Sequence, residues 1–111
     1  MSFHKIGKPI LIGISKVNLG MSKSYVYILT NKSSTTFYTG VTSNLCQRIM
    51  QHRNKAFDGF TAQYNLTRVV YVEELPSITD AILREKYIKM MSRQRKLKLI
   101  NQHNPDWEDL V

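Results

Sequence analysis

The sequence predicts a small α+β domain: a three-stranded, mainly antiparallel sheet flanked by helices, in the order β-β-α-β-α-α. Two observations carry the hairpin at its start. The runs "YVYILT" and "TFYTG" are rich in tyrosine and β-branched residues, and the polar connector "NKSST" between them supplies turn formers. A third observation is "TRVVYVEEL", residues 67 to 75, the extra strand that a hairpin needs to hold together in water. A chain of 111 residues suits one domain with a single core.

Residues 1–22 read as a flexible N-terminal extension, and residues 23–111 as the domain. The extension carries Lys5, Lys8 and Lys16, several glycines and no persistent period, while Met21 opens "MSKSYVYIL", itself a plausible protein start. The alternative is a docked strand built on "ILIGI". In the first strand Tyr25 and Tyr27 share one face, with Val26 and Ile28 on the other. Gly40, at the end of "YTG", implies a strained turn or a close backbone approach.

The segment "TSNLCQRIMQHRNK" reads as a helix capped by Thr42, Ser43 or Asn44. Leu45, Cys46, Ile49 and Met50 form its apolar stripe, and Arg48 and His52 stack along one border, where helix meets sheet. A second helix begins at Ser77 with "SITD", a capping box in form. Leu83, Tyr87, Ile88 and Met91 are its expected buried face, with Glu85, Lys89, Arg93 and Lys96 on another side. The stripe loses phase near Ser92, which predicts a break and a further short helix. Trp107, in the acidic tail "NPDWEDL", is expected to pack the C-terminus back onto the domain.

Lys and Arg number 16 against 8 Asp and Glu, a net charge of +8 with pI ≈ 9.8. That excess suggests a polyanionic partner, most simply nucleic acid, rather than charge serving solubility alone. Cys46 has no internal disulfide partner, no Cys/His set has zinc-site spacing, and both facts fit a reducing cytoplasm with Cys46 as a small core residue. No apolar run reaches the roughly 20 residues of a membrane span. "PILIGI" is too short for a signal sequence.

"YVY" followed by "YTG", the helix "TSNLCQRIMQHR", then "FTAQYNLTRVVYVEEL", "AILREKYIK" and "LINQHNPDWEDL" occur in an order that resembles the GIY-YIG nuclease superfamily. The likeness is to its small stand-alone URI-domain, UPF0213-like members, and covers roughly residues 24 to 110. The first tripeptide lacks its glycine, the second has threonine for isoleucine, and Val41 stands where some repair nucleases carry lysine. The resemblance implies a catalytic set of Tyr27, Tyr38, Arg48, His52 and Glu85, with Glu85 also the single metal-binding glutamate. Asn104 is set against the polar residue that follows that glutamate.

The chemistry is coherent with this set. Phosphodiester hydrolysis needs an in-line water and charge on the phosphate oxygens. Glu85 can hold one Mg²⁺ (or Mn²⁺), Arg48 offers a planar fork to the scissile phosphate, and a tyrosine or His52 can orient the water. Lys86, Lys89, Arg93, Arg95, Lys96 and Lys98 are the expected phosphate contacts. Each residue also has a plainer explanation: packing for the tyrosines, an edge position for His52, a carboxylate partner such as Glu73 or Glu85 for Arg48, and a helix ion pair for Glu85. The expected function is a metal-dependent endonuclease acting on DNA, with RNA not excluded, no membrane association, and a monomeric or weakly dimeric state. The alternative is a nucleic-acid-binding module that keeps the fold with little or no cleavage.

Overall fold

A computed structural model describes residues 23–55 and 59–111. Both readings of residues 1–22, flexible extension or strand on "ILIGI", fall outside the described residues. Strands β1 (Ser24–Thr30), β2 (Phe37–Thr42) and β3 (Arg68–Leu75) form one antiparallel sheet in the order β2-β1-β3. The Asn31 side chain closes the hairpin, its Oδ1 accepting from Thr35 N at 2.9 Å and Thr36 N at 3.3 Å. The helices are α1 (Leu45–Arg53), α2 (Gly59–Gln63), α3 (Ile78–Lys89) and α4 (Arg93–His103). The short helix α2 adds one element to the expected order.

As the central strand, β1 is buried on both faces, so its alternation sorts the core into two layers. Tyr25, Tyr27 and Leu29 meet Leu45 and Ile49 of α1. On the opposite face Val26 and Ile28 meet Ala81 and Ile88 of α3 and Leu99 and Ile100 of α4. Asn44, Ser77 and Ser92 cap α1, α3 and α4, each side chain accepting a backbone N–H three residues on, at 3.1–3.2 Å. The break at Ser92 is therefore a helix start, as the loss of phase suggested.

The C-terminal tail covers the β3 edge, the device by which a sheet avoids an unpaired border. Leu110 N donates to Val69 O at 2.8 Å, and Asp109 Oδ1 accepts from Val69 N at 3.1 Å. Arg53 holds both Asp109 oxygens at 2.8 Å. Trp107 packs against the second layer, with its ring 6.0 Å from that of Phe37.

Two expected apolar stripes are corrected. Cys46 and Met50 are exposed on α1, because Leu45, Ile49 and His52 make its buried face. On α3, Leu83 is 62% exposed and Tyr87 is exposed too, while Ala81 and Ile88 make the contact and Met91 packs partly. Ala81 is small enough to bring the helix close to the sheet. Arg84 and Glu85 flank that line half-buried, since each charge is paired: Arg84 Nε with Glu73 Oε1 at 2.9 Å, Glu85 Oε2 with Lys89 Nζ at 3.1 Å.

Candidate active site

Tyr27 lies opposite Gly40 in the β1–β2 ladder, and its ring crosses directly over that residue. Gly40 sits inside β2, so its expected role in a turn is corrected. What requires glycine here is space for a tyrosine from the neighbouring strand. Tyr38, two residues earlier on the same face of β2, brings its ring centroid 6.3 Å from that of Tyr27.

Helix α1 delivers the cationic and imidazole groups. With Leu45 and Ile49 anchored in the core, Arg48 and His52, one turn apart, point along one line. His52 is fully buried rather than at an edge. Its Nε2 lies 3.0 Å from the Tyr27 hydroxyl, its Nδ1 3.0 Å from Thr61 Oγ1, and its ring 5.4 Å from that of Tyr38. Arg48 hydrogen-bonds the same Tyr27 phenol.

Burial keeps Tyr27 protonated well above the usual phenol range, and the neighbouring Tyr38 adds to the effect. The charge and hydrogen bond of Arg48 oppose it, and the Glu85 carboxylate raises it slightly further. The Tyr27 hydroxyl thus links the Arg48 guanidinium to His52 Nε2, and His52 Nδ1 shares a hydrogen bond with Thr61 Oγ1. Arg48, Tyr27, His52 and Thr61 form one hydrogen-bonded series.

Thr61 was not singled out in the sequence. It sits on α2, five residues long, and a lone threonine beside "FTAQY" carries no periodic or motif signal. Tyr27 and His52 form a buried floor, while Tyr38, Arg48 and Glu85 form a partly exposed rim. Glu85 comes from α3, which packs against β1 and β2 from the other face of the sheet, and its carboxylate acts weakly on the Tyr27 phenol through its charge. Glu73, a candidate partner for Arg48, is instead held by Arg84 and by the Tyr71 hydroxyl.

Asn104 is not brought to this cluster. It is buried at the end of α4, donating to Val70 O at 3.0 Å and Glu108 O at 2.8 Å and accepting from Glu108 N at 3.1 Å. Val70 is the extra residue where β3 slips register against Ile28 and Leu29, so Asn104 satisfies the bulge carbonyl and clamps the tail. Lys86, Lys89, Arg93, Arg95 and Lys98 are exposed along α3 and α4, with Lys96 partly buried. Arg93 lies 4.9 Å over the Phe37 ring. Burial and, to a lesser extent, the nearby Lys89 lower the pKa of Lys96, and Lys89 itself pairs with Glu85.

Among the described residues no three His, Cys, Asp or Glu side chains cluster closely enough to hold an ion, and no helix is long and apolar enough to cross a membrane. The family profile described as the GIY-YIG catalytic domain matches residues 23–104. A UPF0213 protein of Syntrophus aciditrophicus is 40% identical over 87 residues, covering 78% of this chain and 98% of the relative. One from Staphylococcus haemolyticus is 42% identical over 86 residues, covering 74% and 99%. The solution NMR structure of the UPF0213 protein BH0048 from Bacillus halodurans superposes with a TM-score of 0.52 at 29% identity, covering 80% of this chain and 94% of that one. From its paired strand tyrosines to its three-stranded antiparallel sheet, the chain belongs to the GIY-YIG family of nucleases.

Proposed function

We propose that the protein is a metal-dependent endonuclease that hydrolyses phosphodiester bonds in DNA, at branched or flapped structures such as arise in repair and recombination. The observation that carries this reading is the convergence on one phenol, Tyr27, of groups from separate elements: His52 and Arg48 from α1, Tyr38 from β2 and Glu85 from α3. A packing tyrosine needs no such company.

GIY-YIG nucleases use divalent metal ions, and the donor set here suits one. A single carboxylate, with no acidic cluster beside it among the described residues, fits Mg²⁺ or Mn²⁺, because Mg²⁺ keeps several waters and takes one or two carboxylates beside a substrate phosphate. Glu85 is the residue that would hold it, with the half-exposed Lys89 giving way to solvent. When bound, the ion supplies positive charge to the phosphate oxygens and to the leaving group.

The chain's own residues divide the remaining work by exposure. Arg48, on the rim, presents its guanidinium fork to the non-bridging oxygens. Tyr27, buried and protonated, accepts one Arg48 N–H and so fixes the direction of that fork, while His52 and Thr61 fix Tyr27. Tyr38, the partly exposed phenol, orients the attacking water in line with the scissile bond. The basic residues of α3 and α4 hold the adjoining phosphates without reading sequence.

The Glu85–Lys89 ion pair favours a second reading, a binding module in which that carboxylate serves only the helix. Incubation with branched, flapped and linear DNA and RNA, in Mg²⁺ or in EDTA, separates the two. Cleavage in Mg²⁺ and none in EDTA is expected. Binding whose log affinity falls by about 0.9 per neutralised phosphate per unit of log salt, with no cleavage of any substrate, selects the module.

A further inference from the structure

Helix α3 meets the sheet along a thin line. Of its 12 residues only Ala81 and Ile88 are buried, while the larger Ile82, Leu83 and Tyr87 are exposed. Two contacts, one of them a single methyl group, fix how close the helix lies but determine its roll about its own axis only weakly. An α-helix turns by about 100° per residue, so Arg84 projects about 50° to one side of that line and Glu85 about 50° to the other. Any roll of the helix therefore moves Glu85.

Arg84 is the side that is tied to the sheet. Its Nε donates to Glu73 Oε1 at 2.9 Å, and the Tyr71 hydroxyl donates to the same oxygen. Arg84 also hydrogen-bonds the Tyr71 phenol, so three side chains close a ring of contacts between α3 and β3. Tyr71 is itself held, only 2% exposed, with the His103 ring edge-on to its own at 5.3 Å. Burial, and next to it the bond to Glu73, raise the Tyr71 pKa, so the phenol keeps the hydrogen it donates. The Arg84 guanidinium further lies 5.4 Å over the ring of Tyr87, three residues on. Glu85 differs. Its ion pair is with Lys89 of the same helix, which turns with the helix and cannot fix it.

We propose that Arg84 is a positioning residue for the metal-binding carboxylate: clamped to Glu73 and Tyr71, it sets the roll of α3 and with it the place of Glu85 relative to Tyr27 and Arg48. This deepens the nuclease reading above and rests on it, since there Glu85 holds the ion. The Tyr71–Glu73–Arg84 cluster touches no substrate; it acts through the neighbouring residue.

The test needs no turnover. Mn²⁺ titrated into the isotope-labelled full chain, without DNA, should broaden the amide signals around Glu85 before any others. Arg84→Met keeps chain length and helix propensity but gives up the clamp, and should need about tenfold more Mn²⁺ for the same broadening. The sign is diagnostic: removing a cation next to the carboxylate would by charge alone tighten the ion, so only a displaced Glu85 weakens it. Glu73→Gln keeps shape, covers the case in which Arg84→Met does not fold, and should act in the same direction. Glu73→Gln/Arg84→Met should be no worse than either alone, because both remove one clamp. The Mg²⁺ needed for half-maximal cleavage should rise by the same factor. Unchanged or tighter Mn²⁺ binding in folded Arg84→Met, or in Glu73→Gln where it alone folds, overturns the positioning role and leaves the nuclease reading intact. Absence of broadening around Glu85 in wild type overturns Glu85 as the ion's ligand, and the clamp's role with it.

Discussion

Gly40 and Tyr27 face each other across the β1–β2 ladder, and a methyl group built on Gly40 would stand 2.4 Å from both Cζ and Oη of Tyr27. No pair of atoms tolerates that separation, so the side chain at position 40 decides whether the phenol can occupy its place. The glycine of "YTG" and the last tyrosine of "YVY" are thus one device divided between two strands.

Gly40→Ala should therefore act through Tyr27. The displaced ring has hydrogen bonds to lose and a packed layer around it, so overpacking should cost about 1–3 kcal/mol of stability and remove cleavage. On a Tyr27→Leu background the same alanine meets no ring end, and its cost should shrink by about 1 kcal/mol or more. Urea unfolding of the four proteins measures the coupling. Strictly additive costs would mean that the alanine acts elsewhere.

Tyr25 and Tyr27 share a strand and a face, but their hydroxyls are in opposite circumstances. That of Tyr25 is buried without a hydrogen-bond partner among the described residues, while that of Tyr27 joins Arg48 to His52. Tyr25→Phe relieves an unmet polar group and should stabilise by about 1 kcal/mol, a rise of several degrees in thermal midpoint. Tyr27→Phe removes the hydroxyl that Arg48 and His52 Nε2 share in a buried layer and should cost about 1–3 kcal/mol. Calorimetry on both variants checks the opposite signs, and two shifts in the same direction would contradict this bonding.

The strands were legible because period-two alternation and turn residues are local signals, and each strand lies within two residues of its expected bounds. Arg48 and His52 could be paired from their four-residue spacing alone. The purpose of Gly40 could not, since it depends on cross-strand register, which local sequence does not state. The buried face of α3 was misjudged for a different reason. A count of large apolar residues favours Leu83 and Tyr87 and passes over Ala81, and it treats Arg84 and Glu85 as solvated when pairing lets them lie against the sheet. Thr61 was invisible for want of any pattern, although it completes the histidine's bonding.

Tyr25, Tyr27 and Tyr71 are held protonated chiefly by burial: Tyr25 is pushed up to about 12, and the other two are raised as well. In the unfolded chain a phenol ionises near pH 10, so above that value the folded state binds more protons. The stabilisation these groups provide is complete below about pH 10 and is lost as pH rises through the folded values. Unfolding monitored against pH should show a plateau up to about 10 and a fall beyond it. Tyrosinate absorbance should place the ionisation of these three within the cooperative transition. Their smooth titration in a protein that stays folded would show that they are reached by solvent.

Glu85 offers the sharpest separation of enzyme from binding module. Its side chain is only 14% exposed, paired with Lys89 on the same helix and within electrostatic reach of the Tyr27 phenol. Glu85→Gln keeps shape and helix propensity, removes the charge a divalent ion needs, and gives up an ion pair worth about 0.3–0.5 kcal/mol, so the fold should survive. DNA binding should be equal or tighter, because one repulsive carboxylate has gone from a basic surface. Cleavage should fall by orders of magnitude, since metal-assisted charge stabilisation supplies several kcal/mol and each 1.36 kcal/mol is about tenfold in rate. Arg48→Lys keeps the charge but not the fork, and should lose cleavage with little loss of binding. If wild type cuts and Glu85→Gln cuts equally well, the ion is not held there. If wild type binds DNA tightly and cuts nothing in Mg²⁺ or Mn²⁺, the Glu85–Lys89 pair is the carboxylate's whole role, and the cluster around Tyr27 is a structural network in a binding domain.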